Sequence, residues 1–423
     1  MIRHLFKIIW NERKSNGWIV LEYVVVFCLL WFCCDYLFFI GKSYSEPLGF
    51  DISNTFYITM QKGSVEEKSE DDSTTEEYIT YTATFIERVK RYPGVEYISF
   101  SHQGVPYAPA TSSTSVIFGR DSLNEEVRVR WVTSEFFDVF KVPVQSGRIF
   151  NSEDVAETDF VVISPDRHNR FGKYPGATAS IHEIKSLYNA PEQKNHPVVG
   201  IAGKVKDTYF EPYKSNVYYT KKTSDIQLEW SQIAIRVSPQ ATAGFAERFS
   251  KEMREQLNIG PYFLSSIVPL EKIKANRIKR AGINDRLNSV YAIMAFLIMN
   301  IFLGVIGTFW YRTQARKSEI GLRMAMGSTA RQVKILLFQE TLLLLFVSSI
   351  IGINICFNIS GTDILKMIDI PIADRTQLAT GFEQSVIVYL LTFSFLAIVS
   401  LLAVWYPVRQ ASSIPPSEAL HAE

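Results

Sequence analysis

Residues 312–340 read RTQARKSEIGLRMAMGSTARQVKILLFQE. The chain turns apolar on both sides of this stretch. Residues 290–310 precede it without a single charge, and residues 335–357 follow it with only Glu340. Each run reaches the roughly 20 residues that a helix needs to cross a bilayer. Between them stand Arg312, Arg316, Lys317, Arg323, Arg331 and Lys334, and such a cluster in a short loop faces the cytoplasm. Residues 315–326 favour a helix, with Glu319 and Arg323 as an i,i+4 pair. Gly327 stands where a left-handed glycine ends a helix. Thr329 followed by Gln332 reads as a capping box that starts the next one. The stretch is therefore expected to form two helices meeting at a corner against the membrane. Leu322, Ala325 and Met326 are apolar on a short cytoplasmic helix, and two readings stand: packing on the ends of the protein's own spans, or docking on another protein.

Two more runs match the first pair, residues 18–40 and 385–405, and Trp18, Trp310, Trp405 and Tyr406 mark span ends as interfacial rings do. The first run has the basic start of a signal peptide, but it is long and no small-x-small site closes it. Cys33 follows Leu30, Trp31 and Phe32, which is not a lipoprotein signal. We read it as a retained anchor. Arg3, Lys7, Arg13 and Lys14 precede it, whereas residues 358–384 hold only Lys366 and Arg375 among Asp363, Asp369, Asp374 and Glu383. Both termini and the 311–332 corner are thus expected in the cytoplasm, with the other two connections outside. Ile2, Leu5, Phe6, Ile9 and Trp10 recur at helical spacing, so residues 1–16 read as an amphipathic helix on the inner leaflet. The divisions that follow are 1–16, a first span over 17–41, a soluble domain over 42–283, and 284–423 with spans near 288–310, 333–357 and 384–406. Glu340 lies about 9 Å into its span from Lys334 by helical rise. It is either an interfacial carboxylate bonded to a neighbouring helix or a subunit-contact or coupling residue.

The 42–283 region reads as α+β in two lobes. A helix is expected over 76–91 and a strand over 95–101. A second set follows: strand 231–237, helix 241–257, strand 262–268. The acidic run 64–77 suits a solvated loop. Little chemistry is visible. The histidines at 4, 102, 168, 182, 196 and 421 show no metal-ligand spacing, and Cys28, Cys33, Cys34 and Cys356 all lie in apolar runs. Gly41-Lys42-Ser43 imitates the end of a phosphate loop, but Tyr36 stands where its first glycine belongs. A net charge of +1 speaks against nucleic acid as a partner. No catalytic residue, metal or cofactor is expected, and the chain is not read as an enzyme.

Val132-Thr-Ser-Glu-Phe-Phe-Asp-Val-Phe-Lys-Val-Pro-Val-Gln-Ser-Gly-Arg-Ile-Phe, then Glu153-Asp154, resembles the signature of the MacB-like periplasmic core domain. FVVIS at 160–164, NRFG at 169–172 and PVVGIAGKV at 197–205 continue it in order. Arg316, Glu319, Ile320, Gly321, Arg323, Ala325 and Gly327, with Glu340 in the next helix, resemble the FtsX-like permease domain. So does the tail Tyr406, Pro407, Arg409, Pro416, Glu418, Ala419 and Leu420. Met324, Ser349 and His421 depart from that pattern. The resemblance implies a permease of an ABC transporter in the bacterial inner membrane, with its large domain in the periplasm. It implies that the corner and tail lie near an ATPase, and that two copies, or this chain and a paralogue, pair in the membrane. MacB carries its ATPase on the same chain. With 17 residues before the first span, we expect a separate cytoplasmic ATP-binding subunit here. The family precedent covers efflux of drugs or peptides and release of lipoproteins, by mechanical transmission and with room for a periplasmic or outer-membrane partner. The alternatives are an FtsX-like regulator of cell-wall hydrolases and a membrane-anchored sensor or scaffold.

Overall fold

The computed structural model describes residues 13–63, 75–108, 112–118, 121–151, 160–166, 180–184, 194–209, 211, 213–315, 317–360 and 382–411. The chain divides into two compact units, Ser43–Ile283 and a second made of Met1–Lys42 with Asn284–Glu423. Helix α1 (Arg13–Ser45) leads into the inserted domain. There follow β1 (Thr55–Lys62), α2 (Thr75–Lys90), β2 (Val95–His102), β3 (Ser112–Phe118) and β4 (Asp121–Val132). Next come α3 (Phe136–Val139), β5 (Val144–Gly147), β6 (Val161–Ser164), β7 (Ser180–Ile184), β8 (Lys194–Ala202) and β9 (Asn216–Thr220). The domain closes with β10 (Gln232–Val237), α4 (Phe245–Met253), β11 (Tyr262–Pro269) and α5 (Leu270–Arg280). The other unit continues with α6 (Ile283–Ala315), α7 (Lys317–Ala325), α8 (Ala330–Ser360) and α9 (Phe382–Ala411).

The first lobe is a four-stranded antiparallel sheet in the order β11-β1-β10-β2. Two helical crossovers, β1-α2-β2 and β10-α4-β11, build it, which is the split β-α-β plan of ferredoxin-like folds. Charge placement favours α2: Glu76 and Glu77 in its first turn and Arg88 and Lys90 in its last oppose the helix dipole. Its apolar stripe brings Phe85 and Val89 onto Phe56, Ile58, Ile98 and Ile235, where Phe245, Phe249 and Met253 of α4 join them. The helix expected over 241–257 is shorter than its apolar stripe. Gly244 takes φ 64° at the N-cap, so the regular helix starts at Phe245. Leu257 still extends the buried face beyond the last turn.

The second lobe is a ring. Strands run β4-β3-β7-β8-β6-β9, and β9 pairs back onto β4 in parallel, from Arg128↔Asn216 to Val132↔Thr220. Val127, Val129, Val161, Ile163, Val198, Ile201, Val217 and Tyr219 form its core. A small closed barrel is filled by side chains and leaves no ladder edge unpaired. The residues of the periplasmic-core signature serve packing. Phe136, Phe137, Val139 and Phe140 are buried against Val162, Tyr218 and Ala234. Gly147 has φ 72°, and a Cβ there would collide with the Val199 carbonyl, so the turn admits little but glycine.

Four helices of the other unit are long and apolar enough to cross a membrane: Asn16–Ser45, Ile283–Tyr311, Ala330–Ser360 and Ser385–Gln410. Half of the first apolar window is buried against 17% of the second, so α1 is the inner helix of the bundle. Phe27, Leu30, Ile301, Leu344, Leu345 and Leu396 are among its core residues. Gly352 admits Phe27, to which an added Cβ would stand at 2.6 Å, the small-residue approach that membrane helices use. Four buried hydroxyls find acceptors on their own helix. Thr341 donates to Leu337 O (3.0 Å), Ser348 to Leu344 O (2.8 Å), Ser349 to Leu345 O (2.8 Å) and Thr392 to Val388 O (2.9 Å), which spares them an unmet donor in hydrocarbon. Gly41, Lys42 and Ser43 are helical residues of α1. Of the expected amphipathic helix, residues 1–12 lie outside the described residues, and Arg13–Asn16 form the first turn of α1. The acidic run lies outside them over 64–74.

Candidate functional site

The corner between α6 and α8 is built as its sequence dictates. α7 ends where Gly327 takes φ 100°. There Ser328 N–H donates to Arg323 O (3.0 Å) and Gly327 N–H to Met324 O (3.0 Å), so a left-handed glycine meets carbonyls that the helix end leaves unpaired. One residue later the capping box is formed. Gln332 Oε1 accepts from Thr329 N–H (2.9 Å), and Thr329 Oγ1 accepts from Gln332 N–H (3.3 Å). Two short motifs thus reverse the chain within four residues and aim α8 back along its span.

The two faces of α7 differ. Ile320 is 7% exposed and packs into the bundle core with Phe309, Val333 and Leu337, and Gly321 is buried beside it. Met324 is partly buried against the same core, and Arg323 is half-buried. Leu322 is 51% and Met326 73% exposed, with Ala325 exposed between them. Leu322, Ala325 and Met326 thus form the exposed apolar edge of the helix. Arg316 lies outside the described residues, as does the side chain of Glu319, so the expected Glu319–Arg323 pair lies outside them too.

Glu340 is 2% exposed and sits inside this chain's own bundle, on the same helix face as Leu337, Thr341 and Leu344. The tail begins as helix: α9 runs through Pro407 to Ala411. Tyr406 stacks on Trp310 with ring centroids 6.0 Å apart and planes 9° from parallel, and the Arg409 guanidinium lies 5.5 Å from the Trp405 ring centroid. Two aromatic span ends and a cation over a ring form an interfacial girdle. The Trp310–Tyr406 stack joins span ends far apart in sequence, and only the aromatic belt hinted at it. Pro416, Glu418, Ala419 and Leu420 lie outside the described residues. Among the described residues no group of three or more His, Cys, Asp or Glu could hold a metal ion.

The chain matches two family models in tandem, the MacB-like periplasmic core domain over residues 40–251 and the FtsX-like permease C-terminal domain over 291–416. It is 21% identical over 320 residues to the probable export ATP-binding/permease protein MacB of Pseudomonas entomophila, covering 73% of this chain and 45% of that protein. It is 24% identical over 307 residues to the macrolide export ATP-binding/permease protein MacB of Escherichia coli K12, covering 69% and 43%. The chain thus spans less than half the length of these curated relatives. Among solved structures, the periplasmic region of MacB from Actinobacillus actinomycetemcomitans overlays 56% of this chain and 97% of its own at 13% identity and a TM-score of 0.33. The extracellular domain of YknZ, a noncanonic ABC-type transporter of Gram-positive bacteria, overlays 50% and 100% at 18% identity and a TM-score of 0.31.

Four membrane helices with an α+β domain of periplasmic type between the first two define a multi-pass permease. The chain belongs to the MacB/FtsX family of ABC transporter permeases.

Proposed function

We propose that this chain is the permease subunit of an ATP-driven machine whose ATP-binding subunit is a separate cytoplasmic protein, docked on the corner at 311–332. In this reading both termini and the corner are cytoplasmic and the inserted domain is periplasmic. Two copies, or this chain and a paralogue, pair in the bilayer. Closure of the ATPase moves the spans, and the inserted domain moves with them to expel or release a drug, peptide or lipoprotein held outside the membrane. The observation that carries the reading is the exposed apolar edge Leu322-Ala325-Met326 on a helix whose opposite face, Ile320 and Gly321, is anchored in the bundle. A firmly seated helix with a bare apolar edge suits transmission of force from a partner. The basic residues around it suit a cytoplasmic loop, and the names of the relatives, macrolide export among them, suit efflux.

The test is to purify the full chain from its host in mild detergent and identify what accompanies it by mass spectrometry. An ABC ATP-binding protein is expected with the wild type and should be lost from Leu322→Asp and Met326→Asp, both surface changes that leave the bundle core intact. Recovery without any ATPase sinks the reading. A cell-wall hydrolase as the main companion replaces it with a regulatory role.

A further inference from the structure

The last turn of α1 and the residues after it belong to the inserted domain, and the domain holds them tightly. Lys206 is 0% exposed, and its ammonium donates to Ser43 O at 2.6 Å and pairs with Glu46 Oε2 at 3.1 Å. The ammonium also stands 4.8 Å from the centroid of the Tyr213 ring. The Tyr213 hydroxyl donates to Pro47 O (2.5 Å), and the Lys206 backbone N–H donates to Leu48 O (3.0 Å). Tyr44 meets Tyr209 edge-on at 5.1 Å. Gly49 has φ 79°, and a Cβ there would fall onto the Lys204 carbonyl. Residues 43, 44 and 46–49 thus each meet Lys204, Lys206, Tyr209 or Tyr213.

A buried ammonium is expensive unless it is paired and hydrogen-bonded. Here it meets a carbonyl of the last helical turn, where the dipole favours a cation, and so ties Ser43 and Glu46 to Lys206. An apolar residue would fill the same volume without holding the helix. The return connection is built otherwise. Gly282 joins α5 to α6 at φ 62° with nothing within 4 Å of where a side chain would start.

We propose that Lys206 is a positioning residue that rivets the outer end of α1 to the inserted domain, so that displacement of the first span is delivered to the domain instead of being absorbed by a slack connection. The proposal rests on the permease reading for its use, and its test separates the two. Hydrogen exchange is followed in the full chain in detergent for wild type, Lys206→Met and Lys206→Arg. Lys206→Met should speed exchange at the 46–51 amides by about tenfold or more and leave β1 and β10 unchanged, with Lys206→Arg restoring most of the protection. If Lys206→Met does not fold, Tyr213→Phe, which drops only the bond to Pro47, should loosen the same amides to a smaller degree. Unchanged exchange at 46–51 overturns the rivet.

Spin labels at Gln240→Cys and Asn358→Cys, in a background without native cysteines, then report the ATP-driven distance change with the co-purified ATPase present. That change should disappear in Lys206→Met, with ATP hydrolysis retained, and return in Lys206→Arg. A full distance change in a loosened Lys206→Met chain overturns the transmitting role while the permease reading stands. A wild type with no ATPase to drive it overturns the permease reading, and the exchange data then decide the rivet alone.

Discussion

Arg236 ties three segments of the inserted domain together at a single buried guanidinium. It is 2% exposed, and it donates to Val139 O (2.6 Å), Ser53 O (3.0 Å) and Asp51 O (2.7 Å). Arg236→Met removes the donor of all three carbonyls and should cost about 2–3 kcal/mol, read as a lower unfolding midpoint in denaturant. The Asp51 carboxyl sits below its usual value. Burial alone would raise it, but bonds from the Ser53 hydroxyl and amide and the charges of Arg236 and Lys141 more than offset this. A depressed carboxylate stabilises the fold above its unfolded value of 3.8, and that contribution is lost as pH falls through the lower folded value. Melting temperature followed from about pH 6 to pH 3 should therefore drop less steeply in Asp51→Asn than in wild type. Gly147 was visible as part of the periplasmic-core signature, and the structure supplies the reason for glycine in its φ of 72° and the Val199 carbonyl beside it. Gly147→Ala should cost about 2 kcal/mol or more, checked by the same denaturant titration. Lys206 was not legible. Nothing in one sequence brings residue 206 to residue 43, because the contact exists only once the barrel has closed.

At the scale of elements, local chemistry was readable and long-range pairing was not. The corner was legible because Gly327, Thr329 and Gln332 act on their immediate neighbours, and each makes the bond its spacing predicted. Thr329→Ala removes one half of the capping box and should cost about 1 kcal/mol at the start of α8, seen as faster hydrogen exchange at residues 330–333 with the centre of the span unchanged. The helices of the first lobe were legible from their apolar stripes. The start of α4 was misplaced because periodicity at Ala241 outweighed a glycine whose left-handed φ could not be known in advance. The closed ring of β4-β3-β7-β8-β6-β9 was not legible beyond an α+β region in two lobes. Its closure depends on a parallel pairing of β4 with β9 across many intervening residues, and alternation along a strand carries no record of its partner.

For the whole molecule, hydropathy and loop charge gave four spans and an orientation, and length and composition of the four long helices agree with the first of these. In a chain whose four cysteines, all in the apolar helices, are replaced, Gln240→Cys should react with a membrane-impermeant maleimide from the periplasmic side and Ser328→Cys should not. What gives the architecture its use is the meeting of an anchored corner helix and an exposed apolar edge, and that is where the account is most directly tested. A photoreactive amino acid placed at Met326, 73% exposed, should crosslink in living cells to one soluble protein, an ABC ATP-binding subunit, while the same probe at the mid-span position Phe346, 54% exposed, should not. Crosslinks from 326 that reach only lipid or this chain itself would contradict the docking of an ATPase at the corner.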